Sequence, residues 1–101
     1  GRYARDGGRT VIKEGGRCWV EGGSLAGSVA PMNAIVRTVM EATGAGLGEV
    51  VQMASLNPAR LFGLDSRKGS LEPRKDADVV ALDDALDVVL TLVGGNVVFR
   101  R

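Results

Sequence analysis

Asn57-Pro58-Ala59-Arg60-Leu61-Phe62-Gly63-Leu64 and, after a polar stretch, Pro73-Arg74-Lys75-Asp76-Ala77-Asp78-Val79-Val80-Ala81-Leu82 join a helical half of the chain to a strand half. Asn57 can cap a helix with its side-chain oxygen, and Pro58 suits the first helical position because its missing N–H would be orphaned there anyway. Ala59 to Phe62 supply one turn. Gly63 stands where a chain leaves a helix in a left-handed conformation. Gly69 and Pro73 break the loop that follows. Asp78 to Leu82 reads as a strand that Asp83-Asp84 stops.

Working outward, the C-terminal side is strand throughout. Leu86 to Val93 is apolar on both faces apart from Asp87 and Thr91, which predicts a central strand. Gly94-Gly95-Asn96 predicts a hairpin turn and Val97-Val98-Phe99 the return. Arg100-Arg101 puts charge on the end of an edge strand, which discourages aggregation.

The N-terminal side is mostly helical. Met32, Ile35, Val36, Val39 and Met40 fall at i, i+3, i+4, i+7 and i+8, predicting a helix over 31–43 that Pro31 starts and Gly44 or Gly46 stops. The methionines read as core filler, not as ligands. A second helix is expected over 49–55, burying Val50, Met53 and Ala54 and broken by Asn57-Pro58. Arg9 to Lys13 and Arg17 to Val20, around a turn at Glu14-Gly15-Gly16, predict a hairpin with Trp19 as its anchor. Gly1 to Gly8 reads as loop. Gly22-Gly23-Ser24-Leu25-Ala26-Gly27-Ser28 fits neither phosphate-loop spacing and reads as a turn before a helix.

The whole chain is 101 residues with 45% apolar content, enough for at most one domain. A net charge of +1 gives no reason to expect nucleic acid as a partner. Neither a membrane-length apolar run nor a signal-peptide pattern is present. One cysteine, Cys18, forms no internal disulfide and reads as a small hydrophobe. With no histidine, a Ser-His-Asp triad and any His-containing metal site are excluded within the chain. Asp76 with Asp78 and Asp83 with Asp84 are acidic pairs; strand-end and turn solvation is the reading preferred over metal or acid–base chemistry. Arg74 and Lys75 read as a solvated loop before they read as a phosphate contact. Residue by residue, this is an α+β piece without a catalytic set. The opening at Gly1 reads as though the chain starts mid-protein.

The segment from Asn57 to Leu82 resembles a stretch near the C-terminus of amidohydrolase-superfamily enzymes. The ordered set of Gly1-Arg2-Tyr3, the Val11/Val20 hairpin, Ser24-Leu25-Ala26-Gly27-Ser28, the Met32 helix, Met53 to Ala59 and the Gly94-Gly95 hairpin resembles the C-terminal third of the N-acetylglucosamine-6-phosphate deacetylase family. Three positions depart from the pattern. Pro31 and Asn33 replace a common T-M-D, and Arg74 replaces the usual glycine of P-G-K-D-A-D.

The resemblance implies an α/β fold: the late helices of a (β/α)8 barrel within residues 1–64, and strands of a small β-sandwich within 65–101 whose missing partners come from the N-terminus. It implies hydrolysis of N-acetylglucosamine 6-phosphate to glucosamine 6-phosphate and acetate. A divalent metal, zinc or similar, polarises the carbonyl, and an aspartate acts as base and then as acid; both belong to residues outside this chain. Leu25, Ala26 and Gly27 match positions that touch the sugar, where glycine lets backbone approach closely. The resemblance also implies a cytoplasmic homodimer, with this chain alone inactive and dependent on the rest of its parent. Two other readings stay open: another amidohydrolase of dihydroorotase or deaminase type, and a stand-alone non-catalytic interaction domain.

Overall fold

The computed structural model describes residues 1–5 and 7–101 and divides into two compact units, Gly1–Pro31 and Met32–Arg101. Asp6, inside the stretch read as loop, lies outside the described residues.

The first unit is an antiparallel sheet of β1 (Arg2–Ala4), β2 (Thr10–Glu14) and β3 (Arg17–Val20), in that order. The β2–β3 hairpin forms where expected. Gly15 and Gly16 both sit at positive φ (54° and 73°), the two-residue turn whose twist matches flanking strands. Arg2 to Ala4 is strand, not loop, because Arg2 pairs with Ile12, Tyr3 with Val11 and Ala4 with Thr10. Val11 is the buried residue of this unit, at 6% exposure, while Trp19 is only half-buried.

The second unit carries α1 (Met32–Thr43), α2 (Leu47–Ala54), α3 (Leu56–Leu61), β4 (Val79–Leu82), β5 (Val88–Val93) and β6 (Asn96–Arg100). As expected, β5 is central in the order β4-β5-β6, and Gly94 and Gly95 make its turn at φ 55° and 82°. The helices depart from the expectation at their caps. α2 begins at Leu47, with Glu49 accepting a hydrogen bond from the Gly46 N–H at 3.1 Å. The break between α2 and α3 falls at Ser55 (φ −130°, ψ −71°), so Asn57 and Pro58 lie inside the first turn of α3 and Asn57 is not its cap. Proline is tolerated there because all the first-turn N–H groups lack helical partners. The exit is as predicted. Gly63 at φ 67° donates to the Arg60 carbonyl, and Leu64 N–H donates back to Ala59 at 2.7 Å, a Schellman ending.

Periodicity placed α1 correctly but not its burial. Val36 is buried, whereas Met32 is 59% exposed and Ile35 is also exposed. Met53 of α2, expected in the core, is exposed as well; the buried residue of that helix is Val50.

Side-chain hydrogen bonds fix the β4–β5 turn from two directions. Asn33 donates to the Leu86 carbonyl at 3.0 Å, and Arg37 donates to the Ala85 carbonyl at 2.6 Å and to Asp87 at 3.1 Å, so α1 grips the β4–β5 turn. Asp83 shapes that turn by accepting the N–H groups of Ala85 and Asp87 at 3.0 and 2.9 Å.

Candidate functional site

The stretch singled out by resemblance, Leu25 to Gly27, lies on the return from β3. Gly23 N–H donates to the Val20 carbonyl at 2.9 Å, and Gly22 sits at φ 70° while Glu21 does not have positive φ. That is a type II turn over Val20–Gly23, which needs glycine at its third position. The turn sends the chain back antiparallel along β3. Val20 N–H donates to the Ser24 carbonyl at 3.0 Å, Ala26 N–H donates to the Cys18 carbonyl at 2.8 Å, and Leu25 lies opposite Trp19. The turn is tied to the sheet twice more, by Glu21 N–H donating to Thr10 at 2.9 Å and by an ion pair between Arg2 and Glu21.

Leu25 and Ala26 are therefore displayed by backbone pairing, and Gly27 follows directly after them. Leu25 is 75% exposed, Ala26 is half-buried and Gly27 is exposed at φ 153°. A β-carbon on Gly27 would meet no atom of the chain within 4 Å, so the space over it is open. The arrangement offers an apolar side chain and accessible main chain, and these three residues carry no nucleophile or base.

The acidic residues have a structural place. Asp76 and Asp78 share one partner, Lys68, whose Nζ lies 2.9 Å from Asp76 and also pairs with Asp78. Arg67 adds a contact to Asp76 at 3.2 Å, and the second oxygen of Asp78 accepts the Gly94 N–H at 2.8 Å. Hydrogen bonds from Lys68 hold both carboxyls below their usual range, with the Gly94 N–H adding to the effect on Asp78. The same bonds, Asp78 first, push the Lys68 ammonium upward. The backbone N–H of Asp87 and then Arg101 lower Asp83. Carboxylates held this firmly in their ionised, paired form make poor proton acceptors at neutral pH. Glu72 is lowered too, by Lys75 and then Ser70. Arg74 sits at φ 73° in a turn closed by Lys75 N–H donating to Glu72 at 3.1 Å, the backbone shape for which the usual glycine is suited. Sequence reasoning missed the Lys68 clamp; its only signal was a lysine ten residues ahead of Asp78, too distant to read without the fold.

Among the described residues, no three His, Cys, Asp or Glu side chains converge where they could hold a metal ion. The residues present do not fit the metal that the resemblance implies, and no step through it is assigned to this chain. Among the described residues, no helix is long and apolar enough to cross a membrane.

Comparison with known proteins agrees with the ordered motifs. The profile of the amidohydrolase family matches residues 6–98. A bovine N-acetylglucosamine-6-phosphate deacetylase is 46% identical over 77 residues, covering 76% of this chain and 19% of its own length. A protein of Escherichia coli K12 named putative N-acetylgalactosamine-6-phosphate deacetylase is 44% identical over 95% of this chain and 57% of its own. The crystal structure of N-acetylglucosamine-6-phosphate deacetylase from Thermotoga maritima superimposes with a TM-score of 0.77 at 32% identity, over all of this chain and 28% of that one. The chain thus spans about a fifth of the bovine relative. With the family profile covering nearly its full length and the same fold found at 32% identity, this chain belongs to the amidohydrolase family.

Proposed function

We propose that this chain is the C-terminal portion of a metal-dependent deacetylase that hydrolyses the acetamide of N-acetylglucosamine 6-phosphate, releasing glucosamine 6-phosphate and acetate. The observation that carries this reading is the 46% identity to a deacetylase of that name, joined to the Ser24-Leu25-Ala26-Gly27-Ser28 loop that the resemblance rests on. Residues 1–64 complete the late part of a (β/α)8 barrel, with α1 to α3 among its outer helices. Residues 65–101 supply strands of the small β-sandwich. The metal ligands and the catalytic aspartate lie elsewhere in the parent, so the chain alone is inactive. Leu25, Ala26 and Gly27 contact the amino-sugar phosphate, Leu25 through its exposed side chain and the others through backbone. The parent works as a cytoplasmic homodimer.

Relatives named for the galactosamine epimer match 95% of the chain at 44% identity, which favours a second reading of the sugar. The deacetylase names favour both amino-sugar readings over a cyclic-amide or nucleobase hydrolase.

The test is Gly27→Val in the full-length protein, with both epimers as substrate. A β-branched residue at φ 153° fills the open space over the main chain, so KM for the accepted epimer rises. An unchanged KM removes Gly27 from the contact. Acetate release by the purified 101-residue chain with zinc present would overturn the inactivity.

A further inference from the structure

We infer that the Val20–Gly23 turn, through Gly22, is a positioning element for the substrate edge at Leu25 to Gly27; this rests on the deacetylase reading above. The edge runs antiparallel to β3, with Leu25 opposite Trp19. What fixes its register is the reversal at Gly22 (φ 70°), after which Val20 and Ala26 donate to Ser24 and Cys18 across the Trp19–Leu25 pair. A one-residue change of register would exchange the side chain displayed at Leu25 for that of its neighbour on the opposite face. The turn is itself anchored, since Glu21 is held by the Thr10 carbonyl and by Arg2. Gly22 thus carries the left-handed step of the reversal between an anchored strand end and the edge that meets the sugar.

A side chain at Gly22 would touch nothing within 4 Å, so its effect is confined to the backbone. Left-handed geometry disfavours ordinary L-residues, and Asn tolerates it best among them. Gly15, at φ 54° at the far end of the same hairpin, also has open space around it and serves as a control for general loosening.

The experiment uses the full-length protein and compares Gly22→Val, Gly22→Asn and Gly15→Ala by steady-state kinetics on the accepted hexosamine 6-phosphate. Gly22→Val raises KM by about 5- to 30-fold, the population loss expected from the left-handed penalty, with kcat within about twofold because uniform binding is what is lost. Gly22→Asn restores KM to near wild type, and Gly15→Ala leaves it unchanged. Equal effects of Gly22→Val and Gly15→Ala, or a fall in kcat with KM unchanged, would overturn the inference. A wild-type protein inactive on both epimers would instead overturn the deacetylase reading, and the inference with it.

Discussion

Replacing Gly69 with alanine should open the connection between helices and sheet. Gly69 passes over the junction of α2 and α3, where its carbonyl accepts from the Ser55 hydroxyl at 3.3 Å. A β-carbon there would lie 2.7 Å from the β-carbon of Ala59 and 3.0 Å from the α-carbon of Leu56. Neither neighbour can yield, since Ala59 is buried at 7% exposure and Leu56 presents backbone. The φ of 91° adds a conformational penalty. The left-handed term is about 1–2 kcal/mol and overpacking adds about 1–3 kcal/mol, so the sum is about 2–5 kcal/mol. Gly63, at φ 67° with nothing within 4 Å, isolates the first term. Tryptic cleavage after Arg67, measured where cutting is slower than reclosing, reads the open population directly. Gly69→Ala should accelerate it at least about 30-fold, and Gly63→Ala by about 5- to 30-fold. Equal acceleration by the two variants would refute the steric argument.

Arg74→Gly should stabilise the second unit by about 1 kcal/mol, because it relieves the left-handed arginine of the Glu72–Lys75 turn; slower cleavage after Arg67 checks it, and faster cleavage counts against it. Arg37→Ala should destabilise by about 1 kcal/mol, the scale of its partly exposed hydrogen bonds to Ala85 and Asp87, and should speed amide exchange at the Asp87 N–H; unchanged exchange would remove the grip of α1 on that turn. For pH, Asp76, Asp78 and Asp83 have folded pKa values below their ordinary 3.8, so their contribution is present above that value and lost as pH falls through the lowered ones. Lys68 is raised above 10.5, so its contribution is complete below 10.5 and lost at still higher pH. Protease protection of the second unit should stay level between about pH 5 and 9; a decline inside that window would contradict the clamp.

The sheet of β4, β5 and β6 was legible because apolar runs and glycine pairs are local signals. The hairpin of β2 and β3 was legible for the same reason. Arg2 to Ala4 was not, since three residues have no periodicity and their strand character comes from partners six to ten residues onward. The start of α3 was misplaced by two residues because Asn57-Pro58 carries two helix-start signals, while the actual break at Ser55 is set by backbone torsions. The apolar stripe of α1 revealed a helix but not its cover: Met32 and Ile35 remain exposed. The candidate site was least legible from chemistry. Leu25 and Ala26 are paired to β3 through the main-chain hydrogen bonds of Ser24 and Ala26, which leave no side-chain signature, and only the resemblance singled out Leu25, Ala26 and Gly27. Arg74 departs from a motif glycine, and the structure holds it at φ 73°, a left-handed conformation that was not foreseen from the sequence.

The most direct test of the central claim is acetate release by the full-length, metal-loaded protein from N-acetylglucosamine 6-phosphate and its galactosamine epimer. At least one of them should be turned over. Turnover of a cyclic amide or a nucleobase, with no acetate from either hexosamine 6-phosphate, would contradict it.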